Sequence, residues 1–600
     1  GTVICRVIIK KIVDIKKSVM SGSCKVRSLA TAYPCGFGSQ VNDMAKGMQK
    51  FMWVDYVVFV FMLAISAVVG VYWGFLKKQT SQQDYLLGGR NMKVVPVSMS
   101  LVASFISGIT LLGSPTEVYM HGTQYAYILG GIFLMSFVMT QVYLPVFHNL
   151  KITSNYEDPR RFFELISIIL MLILLNVTKL CKQINLIQLL ISVTGIDIHI
   201  ITPIVCVVCI FYTSAGGLQA VVWTDVIQIT VMFGAMALVA VKGTMDVGGF
   251  STVWRRNMDS GRIELPKHTI WNLVFGGLIY WLQANAVNQT MIQRYLALPT
   301  LRGAKWAVIL FCIGISTLYC FCLYCGLLIY ARFYDCDPLQ TKLAKAKDQL
   351  LPLLVMDVLG DIPGLPGVFV AGIFSAALSS LSTSLNSMSA VVLEDFYKPF
   401  YKKPLSDKQA SWIMRGVVIS LGILSLGLVF VVEKLGTILQ LTMTLEAITM
   451  GPQLGVFTMG ILMPWVDSMV CFRLVSMTWW CLSAQMAIAA NHIVHAHKPL
   501  SIAGCTYNFT ITESYIYFIL LNQDVNSFLR VSYMWYTATG TLITICVGAL
   551  VSWLLQWRGK AYVPPPPGLL APQLRRLYRE PPHPTDERFI QAYGSHKVRF

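Results

Sequence analysis

Phe374-Ser375-Ala376-Ala377-Leu378-Ser379-Ser380-Leu381-Ser382-Thr383-Ser384-Leu385-Asn386-Ser387 is the stretch on which the reading of this chain turns. Seven of its fourteen residues carry a hydroxyl, yet it sits inside a longer apolar run, 366–393, with the length of a membrane span. At the spacing of a helix face, Ala376, Ser379, Ser380, Thr383 and Ser387 fall together. A hard monovalent cation is satisfied by several neutral oxygens. Hydroxyls combined with the carbonyls of a nearby broken helix supply them. The alternative is that small residues let two helices pack closely.

The rest of the chain fixes the solvent around this stretch. Of 600 residues, 55% are apolar and only 13% charged, with a mean hydropathy of +0.61. A soluble domain is about one quarter charged, so this chain lacks the charge to cover a water-facing surface. It reads as an all-α polytopic membrane protein. Windows of span length fall near 55–75, 94–113, 125–147, 163–180, 187–215 (ambiguous), 218–242, 271–291, 304–331, 366–393, 411–432, 437–463, 469–490 and 532–556. That makes about thirteen transmembrane helices. The net charge of +18 does not indicate nucleic acid, because the excess lies mostly at the ends: nine Lys/Arg against two Asp/Glu in 1–50, and eight against three in 557–600. Basic ends beside apolar spans suit anionic lipid headgroups. Of the fifteen cysteines, Cys206, Cys209, Cys312, Cys320, Cys322 and Cys325 lie inside apolar runs and act as small hydrophobes. No zinc spacing, Walker loop, nucleophile elbow or HExxH helix occurs in the sequence. No cofactor and no enzyme chemistry are expected.

Three further stretches place polar groups at membrane depth. In Ser98–Pro115, Gly108, Gly113 and Pro115 interrupt a hydrophobic run. Unwound backbone there is tolerated only where protein or a cavity surrounds it, which predicts either a discontinuous helix with free carbonyls or a kinked one. Asp225, in Val222-Trp223-Thr224-Asp225-Val226-Ile227-Gln228, is either a functional intramembrane acid or an interfacial residue at a helix start. Asn285 to Tyr295 sets amides deep in a span before a basic interface at Arg294. Those amides line a pathway or bridge helices.

The basic loops set the orientation. Lys77, Lys78, Arg90 and Lys93, then Lys398, Lys402, Lys403 and Lys408, share the cytoplasmic side with the C-terminal tail. The sequon Asn508-Phe509-Thr510 then faces outside and is open to glycosylation. Cys336 and Cys505 share that side, either paired or as two free thiols. Residues 1–47 are basic, begin with Gly and precede Met48. They are expected to be upstream sequence outside the fold, the alternative being a disordered arm. The transmembrane domain then runs over 48–557. Residues 558–600 form a basic tail whose Pro564-Pro565-Pro566-Pro567 reads as a spacer, with an SH3-type partner as the alternative.

Together these strings resemble the sodium/solute symporter family. The resemblance is carried by Asp84-Tyr85-Leu86-Leu87-Gly88-Gly89-Arg90, the Ala103–Ser107 break, Gly216-Gly217 with Trp223-Thr224-Asp225, Val287-Asn288-Gln289 with Gln293-Arg294-Tyr295, and Ser379-Ser380. Asp335-Cys336-Asp337-Pro338 and Ala390-Val391-Val392-Leu393-Glu394-Asp395 are similar to the monocarboxylate, multivitamin and iodide branch. The resemblance implies two inverted five-helix repeats of the leucine-transporter kind, with discontinuous helices, and sodium as the coupling ion. It implies a sodium site with carbonyls from Ala103, Ile106 and Ala376 and hydroxyls from Ser379 and Ser380. A second site would draw on Ser104, Asp225, Gln228, Gln289 and Thr383, and Thr110 and Trp281 would lie near a small anionic substrate. It also implies import at the plasma membrane by alternating access.

The chain departs from that pattern at 158–185, where Asp158-Pro159-Arg160-Arg161 precedes a span interrupted by Asn176, Lys179, Lys182 and Gln183. It departs again at Val466–Arg473, and Glu446 places a carboxylate in a span. The departures keep two alternatives open: a symporter-fold protein that senses sodium or substrate without net transport, and a chain whose transcript was mispredicted.

Overall fold

The computed structural model describes residues 51–77, 81–150, 198–263, 270–344, 347–398, 401, 405–432, 438–466, 498–505, 507, 534–558 and 570–575. The arm 1–47, the departures at 158–185 and 467–475, Asn508 and the four prolines lie outside the described residues, as does the side chain of Glu446.

Helices account for the regular structure, with no strand among the described residues. In chain order they are α1 (Trp53–Val71), α2 (Gln82–Leu87), α3 (Val94–Phe105), α4 (Gly108–His121), α5 (Ile128–Val138) and α6 (Leu144–Leu150). Then come α7 (Ile198–Val247), α8 (Phe250–Asp259), α9 (Gly277–Ala286), α10 (Gln289–Leu296), α11 (Leu301–Arg332), α12 (Leu350–Leu359) and α13 (Leu365–Val391). The last four are α14 (Asp407–Val432), α15 (Ile438–Leu462), α16 (Met534–Trp557) and the single turn α17 (Pro572–Arg575). Among the described residues seven helices are long and apolar enough to cross a membrane, or eight with the bent pair α3–α4.

The hydroxyl-rich α13 is buried along nearly its whole length. That position follows from its composition, since hydroxyls facing lipid would lack partners. Five of them return to their own helix: Ser375 donates to the Ala371 carbonyl, Ser382 to Ser379, Ser384 to Ser380, Ser387 to Thr383 and Ser389 to Asn386, at 2.7–3.0 Å. Pro366 in the first turn, after Gly364 at φ 89°, starts the helix sharply.

The 50 residues of α7 would measure about 75 Å as one helix, more than twice the hydrocarbon core. Gly217 divides it, with φ 52° and ψ −149°, into 198–216 and 218–247. A Cβ at Gly217 would meet the Tyr85 carbonyl oxygen at 2.6 Å, so only glycine fits this turn. The described part of the ambiguous span near 187–215, from residue 198 on, and the span near 218–242 are therefore two helices meeting at that residue.

Between α3 and α4 the axis turns by 59°. The break falls at Ile106 and Ser107 and not at the residues flagged on composition: Gly108 opens α4, and Gly113 and Pro115 lie within it. The Pro115 carbonyl lies close to Gly326 of α11, where a Cβ would sit 2.5 Å from it, so the two helices touch there through a glycine. The span expected at 271–291 is also broken. A π-helical turn (Asn272–Gly276) leads into α9, Val287 and Asn288 leave the helix, and the Asn288 side chain caps α10 by accepting the Thr290 N–H at 3.1 Å.

At one end of the bundle four segments converge. The Arg262 guanidinium lies 3.5 Å from the Tyr330 ring centre, and its Nε donates to the Tyr119 carbonyl at 2.9 Å. Tyr119 donates its hydroxyl to Asp337 at 2.6 Å, and the Asp337 N–H donates to the Ser501 carbonyl at 2.9 Å. A disulfide joins Cys336 to Cys505 beside this cluster. At the other end, the described residues of the tail, 570–575, lie against the bundle. Leu570 and Ala571 are buried, and Ala571 N–H donates to the Ile461 carbonyl at 3.1 Å. Two apolar side chains free to leave water explain that contact.

Candidate functional site

The site forms where the broken end of α3 meets the middle of α13. Ile106 N–H closes α3 on the Val102 carbonyl at 3.1 Å, after which Ile106 (ψ 118°) and Ser107 (ψ 160°) run extended. The carbonyls of the last turn, from Ala103 onward, thereby lose the donors a continuing helix would bring. Ala103 and Ile106 are buried, at 1% and 0% exposure, as is Ala376 opposite.

Ser379 and Ser380 behave unlike the other hydroxyls of α13. Both turn toward α3: the Ser379 hydroxyl lies 3.2 Å from that of Ser104, and Ser380 donates to the Ser104 carbonyl at 3.4 Å. Thr383 does both, donating to the Ser379 carbonyl at 2.6 Å and lying 2.9 Å from the Ser104 hydroxyl. Neutral oxygens from two helices thus converge at one buried crossing, the donor set that a hard monovalent cation selects.

Next to it is a charged network. Asp225, 0% exposed within the second half of α7, accepts from Ser100 at 2.6 Å, Ser104 at 3.3 Å and Arg294 at 2.8 Å, all on Oδ2. Arg294 is equally buried, also meets the Thr383 hydroxyl, and donates to the Ser100 carbonyl at 3.2 Å. Asp225 Oδ1 is buried without a partner. Asp225 is therefore an intramembrane acid and not an interfacial helix start. Arg294 is not at a basic interface, because Asp225 supplies the counter-charge that makes its burial tolerable.

Of the five residues considered for a second ion, the structure joins Ser104, Asp225 and Thr383. Gln228, one turn further along α7, is buried with both amide atoms unpartnered, and Gln289 is buried at the start of α10. Neither is a partner of Asp225 on Oδ2. The deep amides bridge helices in part: Asn285 donates to the Trp281 carbonyl at 2.9 Å and accepts from Tyr295 at 3.2 Å.

Thr110 and Trp281 flank the break on its other side. Thr110 is the third residue of α4, its hydroxyl 3.4 Å from that of Ser107. The Trp281 ring stacks on Phe105 at 4.2 Å and 22° and meets Tyr319 edge-on at 5.9 Å. Its Nε1 is buried without a partner. Sequence reasoning did not single out Ser100, Phe105 or Tyr319, and it left Arg294 at the membrane surface. A lone Arg in a predicted span paired with a lone Asp in another was the available signal for that ion pair.

Comparison with known proteins bears directly on this arrangement. The sequence profile of the sodium:solute symporter family matches residues 85–469. The chain belongs to the sodium:solute symporter family. The coupling ion of that family is sodium, and a cradle of neutral oxygens is the chemistry such an ion needs. Human sodium-coupled monocarboxylate transporter 1 is 35% identical over 543 residues, 85% of this chain and 88% of that protein. A putative sodium-dependent multivitamin transporter of Drosophila melanogaster is 34% identical, over 84% of this chain and 87% of that one. These relatives are transporters. A solved Na+-coupled sialic acid symporter, in a substrate-bound outward-open state, superposes with a TM-score of 0.67 at 23% identity, covering 84% of this chain and 98% of that one. That likeness shows the fold: a helical, multi-pass architecture of the leucine-transporter type.

Proposed function

We propose that this symporter imports a small anion of the monocarboxylate, vitamin or iodide class together with sodium, by alternating access at the plasma membrane. The observation that carries the reading is the divergence within α13: five hydroxyls serve their own helix, while Ser379 and Ser380 turn to the open end of α3. Sodium is held by the carbonyls of Ala103, Ile106 and Ala376 and by the Ser379 and Ser380 hydroxyls. A second ion draws on Ser104, Asp225, Gln228, Gln289 and Thr383, with the free Asp225 Oδ1 as its charged acceptor.

The anion lies on the Thr110–Trp281 side. Arg294 is committed to Asp225, so neutral donors are left for the substrate: the Trp281 Nε1–H, which has no other partner, and the Thr110 hydroxyl. The membrane potential contributes about 2.3 kcal/mol per charge per 100 mV to inward movement of the cation. With one sodium per monovalent anion the anion's own charge cancels that term and the sodium gradient alone drives accumulation; with two, one net positive charge moves inward and the potential adds to it. No covalent step enters this cycle.

In this reading 48–557 is the transport domain, 1–47 lies outside it and 558–600 is a cytoplasmic tail. Asn508 carries glycan on the outer face. The basic loops at Lys77 and Lys408, on the side of the tail, support that orientation. The test is uptake of labelled lactate, biotin and iodide by cells expressing the chain, with and without sodium, beside Ser380→Ala. Sodium-dependent uptake that falls in the variant supports the reading. Equal uptake in both, or none despite confirmed surface expression, refutes it.

A further inference from the structure

Helix α1 precedes the first broken helix and supplies none of the candidate ion ligands, yet its first turn is tied to α13. Asp55 is 0% exposed, and its two carboxylate oxygens serve two helices. Oδ2 accepts the Met52 N–H at 2.8 Å, at the start of α1, and Oδ1 accepts the Gly367 N–H at 2.7 Å, in the first turn of α13. Helix N-termini carry partial positive charge, so two of them stabilise one buried carboxylate.

The backbones touch at the same point. A Cβ at Gly367 would lie 2.6 Å from the Asp55 Cα and 2.7 Å from its carbonyl oxygen, an approach only a hydrogen permits. One turn further along α1, Phe59 meets Phe374 edge-on, with ring centres 4.9 Å apart and planes at 71°. Phe374 lies two residues before Ala376. From Gly367 to Ala376 is about 14 Å of continuous helix. A helix transmits an axial shift or rotation at its first turn directly to its middle.

We propose that Asp55 is a positioning residue for the sodium site. Its carboxylate fixes the height and rotation of α13, so that Ser379 and Ser380 face Ser104 and not the neighbouring helices. The inference rests on the sodium reading of those serines, and its test separates the two. Full-length protein is purified in detergent, and binding of radiolabelled sodium is measured on the monodisperse fraction of wild type, Asp55→Asn and Gly367→Ala.

Asp55→Asn keeps the shape but loses the charge and one acceptor. Gly367→Ala forces the same contact apart from the other helix. Both are expected to raise the half-saturating sodium concentration roughly 2- to 30-fold, the range of couplings relayed through packed elements, with the number of sites per folded molecule unchanged. A merely structural contact would lower the yield of monodisperse protein and leave its sodium affinity at the wild-type value, which overturns the inference. If Asp55→Asn yields no folded protein, Gly367→Ala decides alone. Wild-type protein that binds no sodium overturns the sodium reading and this inference with it.

Discussion

The ion pair between Asp225 and Arg294 yields the sharpest energetic prediction. Both side chains are 0% exposed and 2.8 Å apart, and Asp225 Oδ2 also holds Ser100 and Ser104. Removing one partner leaves a buried charge without its counter-ion, at a cost of about 3–5 kcal/mol. An exposed pair would cost about 0–1 kcal/mol, so the two situations are well separated. Asp225→Asn and Arg294→Met are each expected to lose about 3–5 kcal/mol of unfolding free energy, measured by denaturant titration of purified protein in mixed micelles. In the double variant neither charge remains, so its loss should fall short of the sum of the singles by about 1–3 kcal/mol. Single losses near 1 kcal/mol, or strict additivity, would refute the argument that the pair is desolvated and mutually dependent. Ser100→Ala removes a hydrogen bond to a charged group and should cost about 1.5–3 kcal/mol in the same assay.

Trp281→Phe keeps an aromatic ring on Phe105 but removes the unpartnered Nε1–H. It should raise the half-saturating anion concentration severalfold, about one lost hydrogen bond, and leave the sodium requirement less changed; an unaltered anion dependence counts against the placement of the substrate. The disulfide Cys336–Cys505 closes a separation of 169 residues. Replacing both cysteines by alanine should cost about 2–5 kcal/mol, read as a lowered denaturation midpoint that reducing agent no longer shifts further.

Asp337 titrates above its ordinary value of 3.8, because burial opposes its charge more than the Tyr119 hydroxyl, the Leu339 and Gln340 N–H groups and Arg262 favour it. The sign follows from linkage: this group's contribution is fully present below 3.8 and is lost as pH rises through the raised folded value. The stability of wild type relative to Asp337→Asn should therefore increase as pH falls toward 3.8. A difference that stays flat or reverses over that range removes the burial argument.

The membrane class was legible in 13% charge alone, since no arrangement of so few charges coats a soluble surface. The polar types of the candidate residues Ser379, Ser380 and Asp225 were also legible, because hydroxyls and acids are conspicuous against an apolar background. The position of the helix break was legible only through the family resemblance, which put it at Ala103–Ser107, and not from the breaker residues. Glycine and proline pointed to 108–115, while the chain leaves the helix at Ile106 and Ser107, neither of which is a helix breaker. A break at membrane depth depends on which neighbours can accept the freed backbone groups, and Ser380 on α13 is 276 residues away in sequence.

The partner of Asp225 was hidden for the same reason. Arg294 beside Gln293 and Tyr295 looks like the end of a span until a second helix brings a carboxylate to it. Composition and spacing determined the solvent of this protein and the chemical types its spans carry. Which hydroxyls serve their own helix, which face another, and which charges cancel were decided only when the helices packed, because burial prices each polar group by partners that are distant in sequence.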